Sequence, residues 1–76
     1  MSKLTPEQAL EAEFYEVAEQ AALKVVEDGV DLDEAFADAE VQLGERSEEY
    51  GLGGLSRELA VELQEEVKAQ VENYRV

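Results

Sequence analysis

One proline and five glycines punctuate the chain, and all but Gly44 fall at the edges of three segments of helical length. Pro6 stands near the start, and Gly29, Gly44, Gly51, Gly53 and Gly54 follow. A helix interior tolerates both residue types poorly, Gly by about 1 kcal/mol and Pro by about 3 kcal/mol relative to Ala. Between these marks the apolar residues recur at steps of three and four. That is the period of one helical face, not of a strand.

The first segment opens on Thr5-Pro6-Glu7-Gln8. Thr5 suits an N-cap, Pro6 the first helical position, and Gln8 the third position of a capping box. Leu10, Phe14, Val17, Ala18, Ala21 and Val25 then form an apolar stripe, with Glu13, Glu16, Gln20, Lys24 and Glu27 on the other side. Gly29 is a natural stop. The second segment begins at Asp31-Leu32-Asp33-Glu34, where Asp31 and Glu34 have capping-box spacing and three carboxylates suit the positive end of a helix dipole. Its apolar set is Leu32, Phe36, Ala39, Leu43 and Tyr50, with Gly44 tolerated inside the helix. After Gly51-Leu52-Gly53-Gly54 the third segment carries Leu55, Leu59, Leu63, Val67, Val71 and Tyr74, with Ala60 alongside. The expected fold is all-α: one domain, residues 1–76, forming a three-helix bundle with helices at about 6–28, 32–50 and 55–74.

At 76 residues the chain lies near the lower limit at which a core alone sustains a fold. It has no Cys and no His. Disulfides, thiolate metal sites and a cysteine nucleophile are therefore excluded, together with the commonest general base. A serine nucleophile has no evident activator. Gly51-Leu52-Gly53-Gly54 runs into Leu55-Ser56 rather than Lys-Ser/Thr, so it is a helix connector and not a phosphate loop. The carboxylates around Asp28 to Glu34 fail as an EF-hand loop in both registers. Counting from Asp28, the third and sixth positions are Val30 and Asp33; from Asp31, the fifth and sixth are Ala35 and Phe36. The expectation is a protein without catalysis, metal or cofactor. No apolar run suits a membrane span, and residues 1–7 lack the apolar core of a signal peptide, which points to a cytoplasmic protein.

Charge is the unusual feature. Twenty Asp and Glu face six Lys and Arg, for a formal net charge of -14. Residues 1–28 carry -5, residues 29–51 carry -7 and residues 52–76 carry -2. No base lies between Lys24 and Arg46. Like charges also stand four apart at Glu45/Glu49, Glu58/Glu62 and Glu62/Glu66, which mildly destabilises a helix. Such a field repels nucleic acid and anionic membranes, and it attracts a basic protein surface.

The reading that follows is a non-enzymatic acidic binding protein. It would occupy the basic groove of a nucleic-acid-handling protein by mimicking phosphates, through Glu13, Glu16, Glu27, Asp28, Asp31, Asp33, Glu34, Asp38, Glu40 and Glu45. Asp31 and Glu34 are the least available of these if they cap the second helix. Small acidic proteins that phages use against restriction and CRISPR enzymes are similar in size, helicity and charge, without a shared motif. The segment Leu10-Glu11-Ala12-Glu13-Phe14 resembles the first helix of bacterial nuclease-immunity proteins, although the paired tyrosines of that family are absent and the glycines fall differently. The alternatives are an antitoxin, immunity or adaptor module that binds another basic partner, and a helical protein whose acidity reflects a high-salt environment, where the Debye length falls to about 3 Å at 1 M. Val71, Tyr74 and Val76 are candidates for a homodimer seam on the third helix, with core packing as the alternative. Tyr15 is either an interface anchor or a half-buried ring.

Overall fold

The computed structural model describes residues 4–75. Three helices follow in order: α1 over Pro6–Asp28, α2 over Leu32–Glu49 and α3 over Arg57–Arg75. They form the expected three-helix bundle.

Local chemistry sets each boundary. The capping box at the start of α1 is complete: the Gln8 N–H donates to Thr5 Oγ1 at 3.2 Å, and the Thr5 N–H donates to Gln8 Oε1 at 3.0 Å. Gly29 ends α1 at φ 71°, in the left-handed region that a residue without Cβ enters freely. Asp31 takes the N-cap position of α2, but its side chain makes no capping hydrogen bond. The capping box expected of Asp31 and Glu34 is therefore not formed, and both carboxylates stay exposed. Gly44 lies inside α2, as expected, and the helix continues to Glu49 with Tyr50 as its C-cap. Beyond it the Gly51 N–H donates to Glu48 O at 3.0 Å and the Leu52 N–H to Ser47 O at 2.9 Å. Together with Gly51 at φ 77°, these bonds make a Schellman closure. α3 starts one or two residues later than the apolar pattern suggested, because Ser56 is its cap: the Leu59 N–H donates to Ser56 Oγ at 3.1 Å.

α1 packs extensively against both α2 and α3, whereas α2 and α3 touch each other sparsely. Seven side chains of α1 are buried: Leu10, Phe14, Val17, Ala18, Ala21, Ala22 and Val25. Ala35, Ala39 and Leu43 come from α2, and Leu63, Val67 and Val71 from α3. Five of the thirteen apolar core side chains are alanine, whose small size lets helix backbones approach closely. This explains a difference from the sequence reading. Ala22 and Ala35, absent from the expected stripes, are fully buried, while the larger Phe36 is only half-buried and Tyr50 is exposed. Val71 belongs to the core, so it is not free for a seam; Tyr74 is exposed. Val76, like the N-terminal residues Met1 to Lys3, lies outside the described residues.

Two substitutions test this packing. A Cβ added at Gly44 meets only Leu55 Cβ, at an ordinary 3.9 Å, so Gly44→Ala should raise stability by about 0.5–1 kcal/mol. Leu43 is fully buried, and Leu43→Ala should cost about 2–5 kcal/mol. That equals most of the roughly 3–5 kcal/mol a core of this size supplies, so the variant should be largely unfolded. Urea denaturation followed by circular dichroism measures both.

Candidate functional site

Where each acidic side chain falls depends on which flank of its helix is turned to a neighbour. On α1 that flank is marked by Glu13, whose Oε1 accepts from Arg46 Nη1 of α2 at 3.3 Å. At about 100° per residue, Glu16, Gln20 and Glu27 lie within about 60° of Glu13. They share the side of α1 that borders α2, and Glu16 and Glu27 are exposed there.

The acids of α2 divide into two groups. Asp31, Glu34, Asp38 and Glu45 are exposed, and from Arg46 they turn about 60–120° outward on the α1 side. Asp33 and Glu40, seven residues apart, occupy the opposite flank. There Gln64 Nε2 of α3 donates to Glu40 Oε1 at 2.6 Å, which takes up part of the Glu40 hydrogen-bonding capacity. The ten acids therefore do not make one continuous face. Glu16 and Glu27 of α1, with Asp31, Glu34, Asp38 and Glu45 of α2, border a common surface. Asp28 is exposed at the turn beside it, and Asp33 and Glu40 face the α3 side.

Glu13 stands apart from the solvated group. Its side chain is only 23% exposed, and its bridge to Arg46 is the one ion pair among the described residues. Glu13 Oε2 is buried and accepts no hydrogen bond of good geometry. The Tyr50 phenol approaches the same carboxylate. Hydrogen bonding to Glu13 raises the Tyr50 pKa above its ordinary 10.0, and desolvation and the negative charge of Glu13 add to the rise. Arg46 is thus the hydrogen-bonding partner of the Glu13 carboxylate, with the Tyr50 phenol close enough to feel its charge. Glu13, Arg46 and Tyr50 tie the middle of α1 to the end of α2, a link between residues 33 apart in sequence.

Chemically, the α1/α2 surface presents rows of carboxylates, with Lys24 of α1 on the same flank beside Glu27. Among the described residues no cluster of His, Cys, Asp or Glu is arranged to hold a metal ion. Among the same residues no helix is long and apolar enough to cross a membrane. The α1/α3 junction was not anticipated from sequence. Tyr15, 51% exposed, sits there beside Phe14, with ring centroids 5.2 Å apart in an edge-to-face arrangement. The third helix looks nearly balanced by count, but its charges are sorted by flank. Arg57, Lys68 and Arg75 fall within about 40° of Gln64, on the α2 side, while Glu62, Glu66 and Ala69 turn toward α1. The chain matches no protein-family model, no curated protein and no solved structure.

The Glu13 cluster gives two measurable consequences. A phenol whose folded pKa lies above its unfolded value contributes stability that is complete below about pH 10 and is lost as pH rises through the folded value. Tyr50→Phe should remove that alkaline loss, seen as a flatter stability profile above pH 10. Arg46→Met leaves a half-buried carboxylate without its cation, whereas Glu13→Gln leaves an arginine that water can solvate. The first should therefore cost more than the second, with a difference on the order of 1 kcal/mol in chemical denaturation.

Proposed function

We propose that this protein binds a basic protein surface through the carboxylate rows of α1 and α2, and that the surface is a groove built to hold nucleic acid. The observation that carries the reading is the excess of solvated carboxylate on that side. Asp31, Glu34, Asp38 and Glu45 are all exposed, and Arg46, which directly follows Glu45, is engaged by Glu13, while Lys24 is a second base, half-buried on the same flank of α1. Carboxylates three or four residues apart on a helix are separated by about 4.5–6 Å along its axis. Duplex phosphates repeat about every 3.4 Å per strand. Two packed helices with staggered rows approach that charge density and would release the same counterions from a basic groove. Such a protein acts by occupancy, as an inhibitor, and needs no catalytic group. The anti-restriction and anti-CRISPR proteins of phages are the analogues in kind.

The placement of the acids sharpens the test. A variant with Glu34→Gln, Asp38→Asn and Glu45→Gln removes three charges from the candidate surface. A matched variant with Glu19→Gln, Glu58→Gln and Glu72→Gln removes three exposed charges elsewhere. Each is immobilised beside the wild type and exposed to source-cell lysate at low and high salt. Mimicry requires nucleic-acid-binding proteins to be captured by the wild type and the matched variant, lost with the first variant, and displaced by added duplex DNA. Capture that duplex DNA does not displace would place the partner in a different class, such as that of an immunity or adaptor protein. Equal behaviour of the two variants would sink the assignment to this surface. The first variant should also melt at higher temperature than the wild type at low salt, because like charges on the compact state repel, and the gap should close as salt is added.

A further inference from the structure

The α1/α3 junction carries a second, chemically different surface. Leu10, Phe14, Tyr15, Leu52 and Leu59 line an open groove of about 290 Å³. Two helix-end devices and an aromatic pair build it: the Schellman closure of α2 brings Leu52 to its edge, the Ser56 cap sets the start of α3 ahead of Leu59, and α1 supplies Phe14 and Tyr15. Glu7, Glu11 and Glu62 stand on its rim. Phe14, Tyr15 and Glu62 also border the adjoining depression, where Glu65 and Glu66 continue the acidic edge along α3. No base lines either depression. The three bases of α3 lie on the flank turned to α2.

These features select the occupant. An apolar floor offers nothing to a phosphate or a free carboxylate. The acidic rim, on a chain of net charge -14, opposes an anionic lipid surface and also a second copy of this chain, which would bring an identical rim against it. A simple cation would satisfy the rim and leave the apolar floor wet. A segment that presents apolar side chains flanked by Lys or Arg satisfies both parts at once, by the helix-in-groove mode of recognition. We infer that the α1/α3 groove is a docking site for a basic amphipathic segment of a partner protein. Its apolar side chains sit against Leu10, Phe14 and Leu59, and its Lys or Arg residues pair with Glu11 and Glu62. Tyr15, large, exposed and rigid, is the expected anchor on this chain's side. The inference is independent of the α1/α2 reading: Tyr15 lies about 160° around α1 from Glu13.

The test uses three synthetic helical peptides and the isotope-labelled protein. The first peptide places Leu at helical spacing between Lys residues, the second replaces Leu by Ser, and the third replaces Lys by Glu. Expected is binding of the first peptide tighter than about 1 mM, with the largest amide shifts at Leu10, Tyr15, Leu59 and Glu62. Binding should weaken about tenfold or more for the second and third peptides, and for the protein variants Tyr15→Ser/Leu52→Ser and Glu11→Gln/Glu62→Gln. All four substituted positions are exposed, so circular dichroism should show the fold intact. The Glu34→Gln/Asp38→Asn variant should bind as the wild type does, which separates this site from the α1/α2 surface. Four results would overturn the inference: equal binding of the Leu and Ser peptides, shifts centred on α2, no binding at millimolar peptide, or concentration-dependent shifts of the groove residues in the protein alone, which would make a second copy the occupant.

Discussion

The burial of one side of α1 between α2 and α3 is the constraint on which the other features depend. α2 and α3 have little contact with each other, so each is held in place chiefly through α1. Alanines make up much of the apolar core and let the helices pack closely. Acids on the bordering flanks are therefore pushed outward. On the α3 side Leu10 and Phe14 of α1 line an open groove. Two surfaces of different character therefore flank one helix.

The Glu13–Arg46 pair shows how the protein handles charge where helices meet. A carboxylate at the edge of a packed seam loses hydration and needs a partner. Arg46 supplies it, with the Tyr50 phenol nearby. The net worth of the pair is small, because it is partly exposed and the desolvation of Glu13 offsets much of the attraction. Its consequence is one of position: α2 cannot slide along α1 without stranding a half-buried charge.

Much of the fold was legible in the sequence because local rules decide it. Thr5 with Gln8 and Gly29 act within a few residues of themselves, and the structure places them as those rules require. Gly44 inside α2 was legible for a different reason: the apolar period on either side of it stays in phase, and packing outweighs a cost of about 1 kcal/mol. What was not legible depends on how one helix is set against another. Nothing local to Glu13 indicates that Arg46 will lie opposite it, and nothing local to Glu40 indicates Gln64. Large apolar residues are natural guesses for a core, yet close helix packing buries Ala22 and Ala35 fully and leaves Phe36 half-buried. Asp31 has the residue type and spacing of a capping box without the hydrogen bond, since side-chain rotation at an exposed cap costs little and water competes. The acidic surface was legible in amount and not in shape: composition counts the carboxylates, but only the helix flanks sort Asp33 and Glu40 from Asp38 and Glu45.

That sorting matters more than the total. At physiological ionic strength the Debye length is about 8 Å. The molecule extends 38 × 26 × 19 Å, so even across its shortest dimension a partner on one face is screened from charges on the opposite face. The formal charge of -14 governs solubility and self-repulsion, while recognition responds to the local arrangement of charge. On the α2-facing flank of α3, three bases offset the nearby acids. On both exposed flanks of α1 the acids have few basic neighbours, solvated in rows toward α2 and set around an apolar floor toward α3. On the two proposed readings, a basic partner approaching from solution would be steered toward these flanks. What it met on arrival, charge alone or charge with a hydrophobic seat, would then decide which kind of partner stays bound.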